Sequence, residues 1–181
     1  MNLFLLRHAI AVEPGSLAGD SDAERPLSPE GKKKMRKIAL GMKSLDLSFD
    51  LILSSPYLRA RETAEIVAHE FGSVPEFTPR LAVGGDPASL VAEVAARTKD
   101  MADVLLVGHE PQLSKLISYL LAGNSGLSVT MKKGGLCKLD VPRLRYARSA
   151  TLEWLLTPSQ LAHLREETIR GETHPGVRRR S

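Results

Sequence analysis

Cysteine and aromatic residues are scarce, because the 181-residue chain has one cysteine, one tryptophan and an aromatic fraction of 4%. The single cysteine, Cys137, excludes an intrachain disulfide and a metal site built from several cysteines. Cys137 lies in an alternating apolar stretch, so we expect a buried structural thiol. All apolar runs are too short to cross a bilayer, and Met1 leads directly into a predicted strand without a basic segment. We therefore expect no secretory signal and a cytoplasmic location.

The charge of the chain is only mildly biased, with a formal net charge of +4 at pH 7. Much of the positive charge lies in two separated clusters, at residues 32–37 and 178–180. This separation favours a solvated helix face and a flexible end over a nucleic-acid site, although a positive field would attract a phosphorylated substrate. The length suits one domain, which we place at residues 1–170, followed by a flexible basic tail at residues 171–181.

Short apolar runs alternate with segments of helical periodicity along most of the chain. Strands are predicted at residues 3–6, 51–53, 76–79, 102–107, 134–141 and 150–156. Helices are predicted at residues 28–44, 55–71, 87–97, 111–121 and 158–169. The last two strands, joined by a basic turn, are expected to pair as a hairpin. The alternation favours an α/β fold, specifically a three-layer α/β/α sandwich with a mostly parallel central sheet.

Arginine or histidine follows three of the predicted strands. Arg7 and His8 come directly after the first strand. His109 follows the strand at residues 102–107, and Arg59 lies in the first turn of the helix after the second strand. Ligands of open α/β sheets bind at the carboxyl ends of the strands. An arginine beside the unpaired N–H groups of a helix start favours a bound anion there and is mildly destabilising without one.

Three motifs carry a resemblance to a known family: Arg7-His8, S-S-P-x-x-R-A-x-x-T-A at residues 54–64, and V-G-H at residues 107–109. Together they resemble the histidine phosphatase superfamily, the branch with phosphoglycerate mutases and small phosphatases, over residues 3 to about 156. Ala9 stands where the mutases usually have glycine, as in the SixA-type phosphohistidine phosphatases. The short chain and Gly85-Asp86-Pro87 are similar to that branch too. The resemblance implies a phosphoglycerate mutase-like fold.

Phosphoryl transfer requires groups that hold the equatorial oxygens of the phosphate and a nucleophile in line with the leaving group. Arg7 and Arg59 are suited to the oxygens, since each presents a planar, permanently charged fork. His8 is the candidate nucleophile, which must be neutral and would form a covalent phosphohistidine that water then hydrolyses. His109 would bond an equatorial oxygen, best as the imidazolium, which a bound dianion favours. The resemblance assigns the same roles to these four residues.

A proton donor for the leaving group is missing from its expected place. The mutases and related monoesterases have a glutamate in the segment that aligns with residues 80–83, and this sequence has none there. A phosphate monoester expels an alkoxide, which needs a general acid, whereas phosphohistidine expels an imidazole with a conjugate-acid pKa of about 6.5. The sequence therefore favours a phosphohistidine protein as substrate. Asp86 is the nearest replacement acid, although capping of the following helix is its favoured role.

Other assignments follow from the same residues. Ser16 is a possible substrate-binding donor, with a solvated loop serine as the favoured interpretation. No metal or cofactor is expected. The partner is expected to be a phosphohistidine-containing signalling or phosphotransfer protein, such as the phosphotransfer domain of a signalling kinase, and no nucleic acid or membrane is expected to bind. We expect a monomer. His69, His163 and His174 are interpreted as structural or surface groups.

Three alternative functions remain open. The first is a small-molecule phosphomonoesterase that uses Asp86 or another loop acid. The second is a metal-dependent hydrolase that uses His8 and His109, which is disfavoured because the sequence lacks H-E-x-x-H and the neighbouring arginines would repel a cation. The third is a non-catalytic module that binds phosphohistidine proteins.

Overall fold

The computed structural model describes residues 1–15 and 21–164. The strands are β1 (Asn2–Arg7), β2 (Leu51–Ser54), β3 (Glu76–Phe77), β4 (Asp103–Gly108), β5 (Leu136–Asp140) and β6 (Thr151–Leu156). The helices are α1 (Pro29–Lys43), α2 (Leu58–Phe71), α3 (Pro87–Arg97), α4 (Gln112–Ala122) and α5 (residues 158–164), with short 3-10 helices at Asp22–Glu24 and Pro79–Leu81. Every strand and helix predicted within these residues is therefore present, and the boundaries that lie within them differ from the predicted ones by at most three residues.

The strands form one mixed sheet in the order β3-β2-β4-β1-β5-β6. β1 and β2 both pair in parallel with β4, and β3 pairs in parallel with β2. β5 pairs antiparallel with β1 and with β6, which confirms the predicted hairpin. In the parallel register Arg7 lies opposite Gly108, and Ser54 lies opposite Val107. The ends of β1, β2 and β4 are thus level at one edge of the sheet.

Helices cover both faces of the sheet, which confirms the three-layer α/β/α prediction. Because side chains alternate along a strand, Leu3 and Leu5 of β1 pack with the buried apolar residues of α3 and α4. Phe4 and Leu6 point to the opposite face and pack with α1 and α2. Leu161 of α5 joins this second cluster. Burial on both faces explains the nearly continuous apolar sequence of β1 and β4.

Helix starts agree with the sequence except at α2. The Ser28 hydroxyl accepts a 3.0 Å hydrogen bond from the N–H of Gly31 and caps α1, which begins within one residue of its predicted start. At α2 the predicted start at residue 55 is wrong: the helix begins at Leu58, and Tyr57 occupies the cap position without a side-chain hydrogen bond. The Ser55 hydroxyl lies instead 2.8 Å from Nε2 of His109. A serine that follows a strand can hydrogen-bond either to a residue of a functional site or to the first turn of the next helix, and the sequence does not distinguish these two roles.

Several smaller predictions can be compared with the structure. Cys137 is buried, as predicted, and burial raises the pKa of its thiol to about 12. His69 and His163 are exposed surface groups. Ser16, His174 and the predicted tail at residues 171–181 lie outside the described residues. In the part of the chain that the structure describes, no helix combines the length and apolar character needed to cross a membrane.

Candidate active site

The ends of β1 and β4 and the first turn of α2 gather the predicted Arg7, His8, Arg59 and His109 around one point. The imidazole rings of His8 and His109 lie 5.0 Å apart between centroids, and both residues are buried. Arg59 is only 3% exposed. Burial lowers the pKa values of the two histidines most, and the positive charges of Arg7 and Arg59 lower both further, which places all four side chains in one electrostatic environment.

His8 is held as a neutral imidazole. Its Nδ1 lies 2.7 Å from the carbonyl oxygen of Ala9. A carbonyl can only accept, so Nδ1 carries the hydrogen and Nε2 keeps its lone pair. Burial lowers the pKa of His8 to about 3, opposed by the bond to Ala9 and assisted by the positive charge of Arg59. The ring therefore has the protonation state and the tautomer that a nucleophile needs at neutral pH.

His109, like His8, lies in surroundings that favour the neutral imidazole, and the imidazolium with a bound dianion stays a prediction. Burial and then the charge of Arg59 lower the pKa of His109 to about 4. Its Nε2 is engaged with the Ser55 hydroxyl at 2.8 Å. Nδ1 is buried and has no hydrogen-bond partner among the described residues. Ser55 thus fixes the orientation of the ring and leaves one nitrogen for a further contact.

The two arginines are anchored through their terminal nitrogens. Arg7 donates from Nη1 to the carbonyl oxygen of Met131 at 2.7 Å. Arg59 donates from Nη1 to the carbonyl oxygen of Asp22 at 2.5 Å and from Nη2 to Oδ2 of Asp22 at 3.0 Å. The Nε atoms of both arginines are buried and lack partners within the described ranges. Each guanidinium is therefore fixed in place and retains N–H donors for an anion.

Thr63, the threonine of the S-S-P-x-x-R-A-x-x-T-A motif, links the two halves of the site. Its hydroxyl donates to the carbonyl oxygen of Arg59 at 2.6 Å and accepts a 3.1 Å hydrogen bond from the N–H of Ala9. The segment after β1 is thereby tied to the first turn of α2. This tie sets the position of His8 relative to Arg59, which gives the threonine of the motif a structural purpose.

Two carboxylates to which the sequence assigned no role lie near the site. Asp22 provides the anion that Arg59 needs at a helix start, and Arg25 also donates to its Oδ1, at 2.7 Å. Glu110 follows His109 and opposes the burial effect on the pKa of Arg7, so it lies near that guanidinium. One Glu110 oxygen accepts from the Ser114 hydroxyl, and the other is buried without a partner in the described part of the chain. The only sequence signal for Asp22 was its three-residue spacing from Arg25.

Asp86 caps α3, which is the role that the sequence favoured. Its Oδ2 accepts a 2.8 Å hydrogen bond from the N–H of Ser89, and its side chain faces solvent. Hydrogen bonding from Ser89 holds the pKa of Asp86 below its ordinary value, which makes it a weaker candidate proton donor. Among residues 1–15 and 21–164, no group of three histidine, cysteine, aspartate or glutamate side chains is placed to hold a metal ion.

The buried neutral histidines predict a pH dependence of stability. Below about pH 6.5 the two histidines of the unfolded chain bind protons, whereas His8 and His109 of the folded protein stay neutral. The contribution of these residues to the free energy of unfolding is therefore full above about pH 6.5, and it declines as the pH falls to about 4 for His109 and about 3 for His8. For His109→Gln, the free energy of unfolding is expected to fall less steeply with acidification, by up to about 1.4 kcal/mol per pH unit. Urea unfolding between about pH 7 and pH 5 measures the slope.

The same substitution at the exposed His69 controls for the loss of a histidine as such. An unchanged slope in His109→Gln, relative to the parent chain, would contradict the neutral buried state of His109.

Comparison with known proteins identifies the family of the chain. The family model described as histidine phosphatase superfamily (branch 1) matches residues 3–82. An uncharacterised protein of Picosynechococcus sp. is 36% identical over 77% of this chain and 84% of its own length. Phosphohistidine phosphatase SixA of Escherichia coli is 29% identical over 89% of this chain and 96% of its own. The structure of the protein histidine phosphatase SixA with tungstate superposes with a TM-score of 0.76 at 28% identity, covering 89% of this chain and 99% of that one. The chain belongs to the histidine phosphatase superfamily and has its phosphoglycerate mutase-like fold.

Proposed function

We propose that this phosphatase-family protein is a phosphohistidine phosphatase, which removes phosphate from a phosphohistidine of a partner protein through a covalent intermediate on His8. The observation that carries the proposal is the state of His8: buried, neutral and hydrogen-bonded through Nδ1, with Nε2 left as the nucleophile. The similarity to SixA over nearly the full length of both chains supports the choice of substrate class.

The proposed reaction has two displacements at phosphorus. In the first, Nε2 of His8 forms a bond to phosphorus while the P–N bond of the substrate breaks, and that bond's electron pair goes to the departing imidazole nitrogen. In the second, the oxygen of water forms a bond to phosphorus while the P–N bond to His8 breaks; the electron pair of that bond returns to Nε2, and the two protons of water leave on the inorganic phosphate. Arg7, Arg59 and His109 hold the equatorial oxygens in both steps. His109 gains a proton most readily when the phosphate dianion is bound beside it.

The chemistry of the leaving group favours phosphohistidine over a sugar phosphate. An alkoxide must be protonated as it departs, whereas a phosphoimidazole that already carries a proton on its second nitrogen departs as neutral imidazole. Residues 80–83 supply no carboxylic acid, and Asp86 is committed to the start of α3. A phosphotransfer domain of a signalling kinase or a similar phosphotransfer protein, encountered in the cytoplasm, fits this chemistry. The reaction uses no metal or cofactor, and the enzyme acts as a monomer.

The deciding experiment compares phosphate release from a phosphohistidine protein and from a sugar phosphate, with His8→Ala as the background for both. We expect a preference for phosphohistidine of at least about a hundredfold in kcat/KM, as the cost of an absent general acid. Comparable turnover of the sugar phosphate would overturn the proposal in favour of a small-molecule phosphomonoesterase. Tight binding of the phosphoprotein without turnover would identify a binding module, and loss of activity with a chelator would identify a metal-dependent hydrolase.

A further inference from the structure

Asp22 is a carboxylate at the mouth of the site that the family motifs do not include. It lies on the 3-10 helix at Asp22–Glu24, and its side chain is 57% exposed although it is bonded to the nearly buried Arg59. It is also close enough to His109 to raise the pKa of that ring against the effect of burial. The carboxylate therefore stands between the buried catalytic groups and the solvent from which a substrate approaches.

We propose that Asp22 is a specificity-determining residue whose carboxylate accepts a hydrogen bond from the second ring nitrogen of the substrate's phosphohistidine. The inference rests on the proposed function, which it deepens by naming the group that recognises the leaving imidazole.

The position of Asp22 suits the leaving group rather than the phosphate. Nucleophile and leaving group lie on opposite sides of phosphorus during an in-line displacement. His8 is on the buried side, so the substrate imidazole lies on the solvent side, where Asp22 is exposed. An Asp22 oxygen 3.0 Å from Arg59 Nη2 would lie roughly 6 Å from a phosphorus held by the same guanidinium. The far nitrogen of a phosphoimidazole lies roughly 4 Å from phosphorus, so an acceptor within hydrogen-bond distance of that nitrogen stands at about this separation.

The hydrogen-bonding capacity of the groups allows both contacts at once. Oδ1 of Asp22 accepts two hydrogen bonds from Arg25, whereas Oδ2 accepts one from Arg59 and keeps a second lone pair for a further donor. Arg59 keeps its buried Nε–H, which has no partner among the described residues. Phosphate can therefore bind Arg59 while Asp22 remains in place.

The carboxylate would act as an acceptor and not as a proton donor. Burial disfavours its charged form, but the hydrogen bonds from Arg25 and Arg59 outweigh that effect and hold the pKa of Asp22 below its ordinary value. An ionised carboxylate stabilises the protonated state of the substrate ring. When the P–N bond breaks, its electron pair goes to the ring nitrogen, the proton stays on the second nitrogen, and a neutral imidazole leaves. An alkoxide gains nothing from such a group.

Asp22→Asn tests the inference, with Glu24→Gln as the matched control that removes a carboxylate from the same 3-10 helix. Asparagine keeps the shape of the side chain and loses its charge. We expect kcat/KM for a phosphohistidine protein to fall about 10- to 100-fold in Asp22→Asn, the effect of one charge-assisted hydrogen bond. Glu24→Gln is expected to stay near the parent value, and Asp22→Glu to recover part of the loss.

Inhibition by inorganic phosphate separates substrate recognition from the positioning of Arg59. Inorganic phosphate has no imidazole for Asp22 to bind, and loss of the negative charge of Asp22 favours binding of an anion. The inhibition constant of phosphate is therefore expected to be unchanged or lower in Asp22→Asn. A weakened inhibition constant that parallels the loss of kcat/KM would overturn the inference, because Asp22 would then only hold Arg59. Unchanged kcat/KM in Asp22→Asn would also overturn it while leaving the proposed function intact. A parent enzyme without phosphohistidine turnover would refute the proposed function itself.

Discussion

Replacement of His8 by asparagine is expected to reduce phosphate release from a phosphohistidine protein by about three orders of magnitude or more, since no other side chain would supply the nucleophile. Asparagine can retain an N–H donor towards the carbonyl oxygen of Ala9, which His8 bonds through Nδ1. It cannot form the covalent phosphohistidine. Single-turnover measurement with a labelled phosphoprotein should therefore show label on the parent enzyme and none on His8→Asn.

His109→Asn is the informative counterpart, because it leaves the nucleophile in place. We expect slower turnover, by about 100- to 1000-fold as for a lost oxyanion donor, but label that still reaches His8. Thermal unfolding of both variants checks that the fold is intact. If the His8→Asn variant were covalently labelled, or if it turned over substrate at more than about a tenth of the parent rate, the nucleophile would be a residue other than His8.

The positions of these two histidines followed from sequence because they depend on regular structure. An apolar run that ends in Arg7-His8 and another that ends before His109 predict two buried strands with histidines at their carboxyl ends. Parallel strands place those ends at one edge of the sheet, and the observed register sets Arg7 opposite Gly108, one residue before His109. The positions of His8 and His109 could therefore be predicted from the apolar pattern of the strands and from the rule that ligands bind at the carboxyl ends of parallel strands.

The carboxylates near the site depend on contacts that leave no periodic signal. Asp22 reaches Arg59 because its loop is held by Arg25, which donates to both Asp22 and the carbonyl oxygen of Val12. These bonds join residues far apart in sequence or inside an irregular segment. Serine and aspartate are also common in ordinary solvated loops, so their presence in this segment does not indicate a functional site. Their role becomes visible only when the distances are known.

Arg59 is expected to be about as sensitive to substitution as His109. Arg59→Gln should lower kcat/KM for the phosphohistidine substrate by about 100- to 1000-fold and weaken inhibition by inorganic phosphate, because it removes a fixed charge from the phosphate oxygens. Arg59→Lys is expected to recover only part of the loss, since an ammonium group keeps the charge but not the planar fork. Steady-state kinetics with phosphate as inhibitor measure both effects.

Arg61 provides the matched control on the same helix. Its guanidinium is exposed and pairs with Glu65 at 2.9 Å, so Arg61→Gln removes the same charge without touching the site, and kcat/KM is expected to change less than about threefold. The opposing interpretation is that Arg59 only neutralises Asp22. In that case Arg59→Gln combined with Asp22→Asn would restore activity, because both members of the pair are gone. If Arg59 binds phosphate and Asp22 binds the leaving imidazole, the double variant loses both contacts and is at least as slow as Arg59→Gln alone.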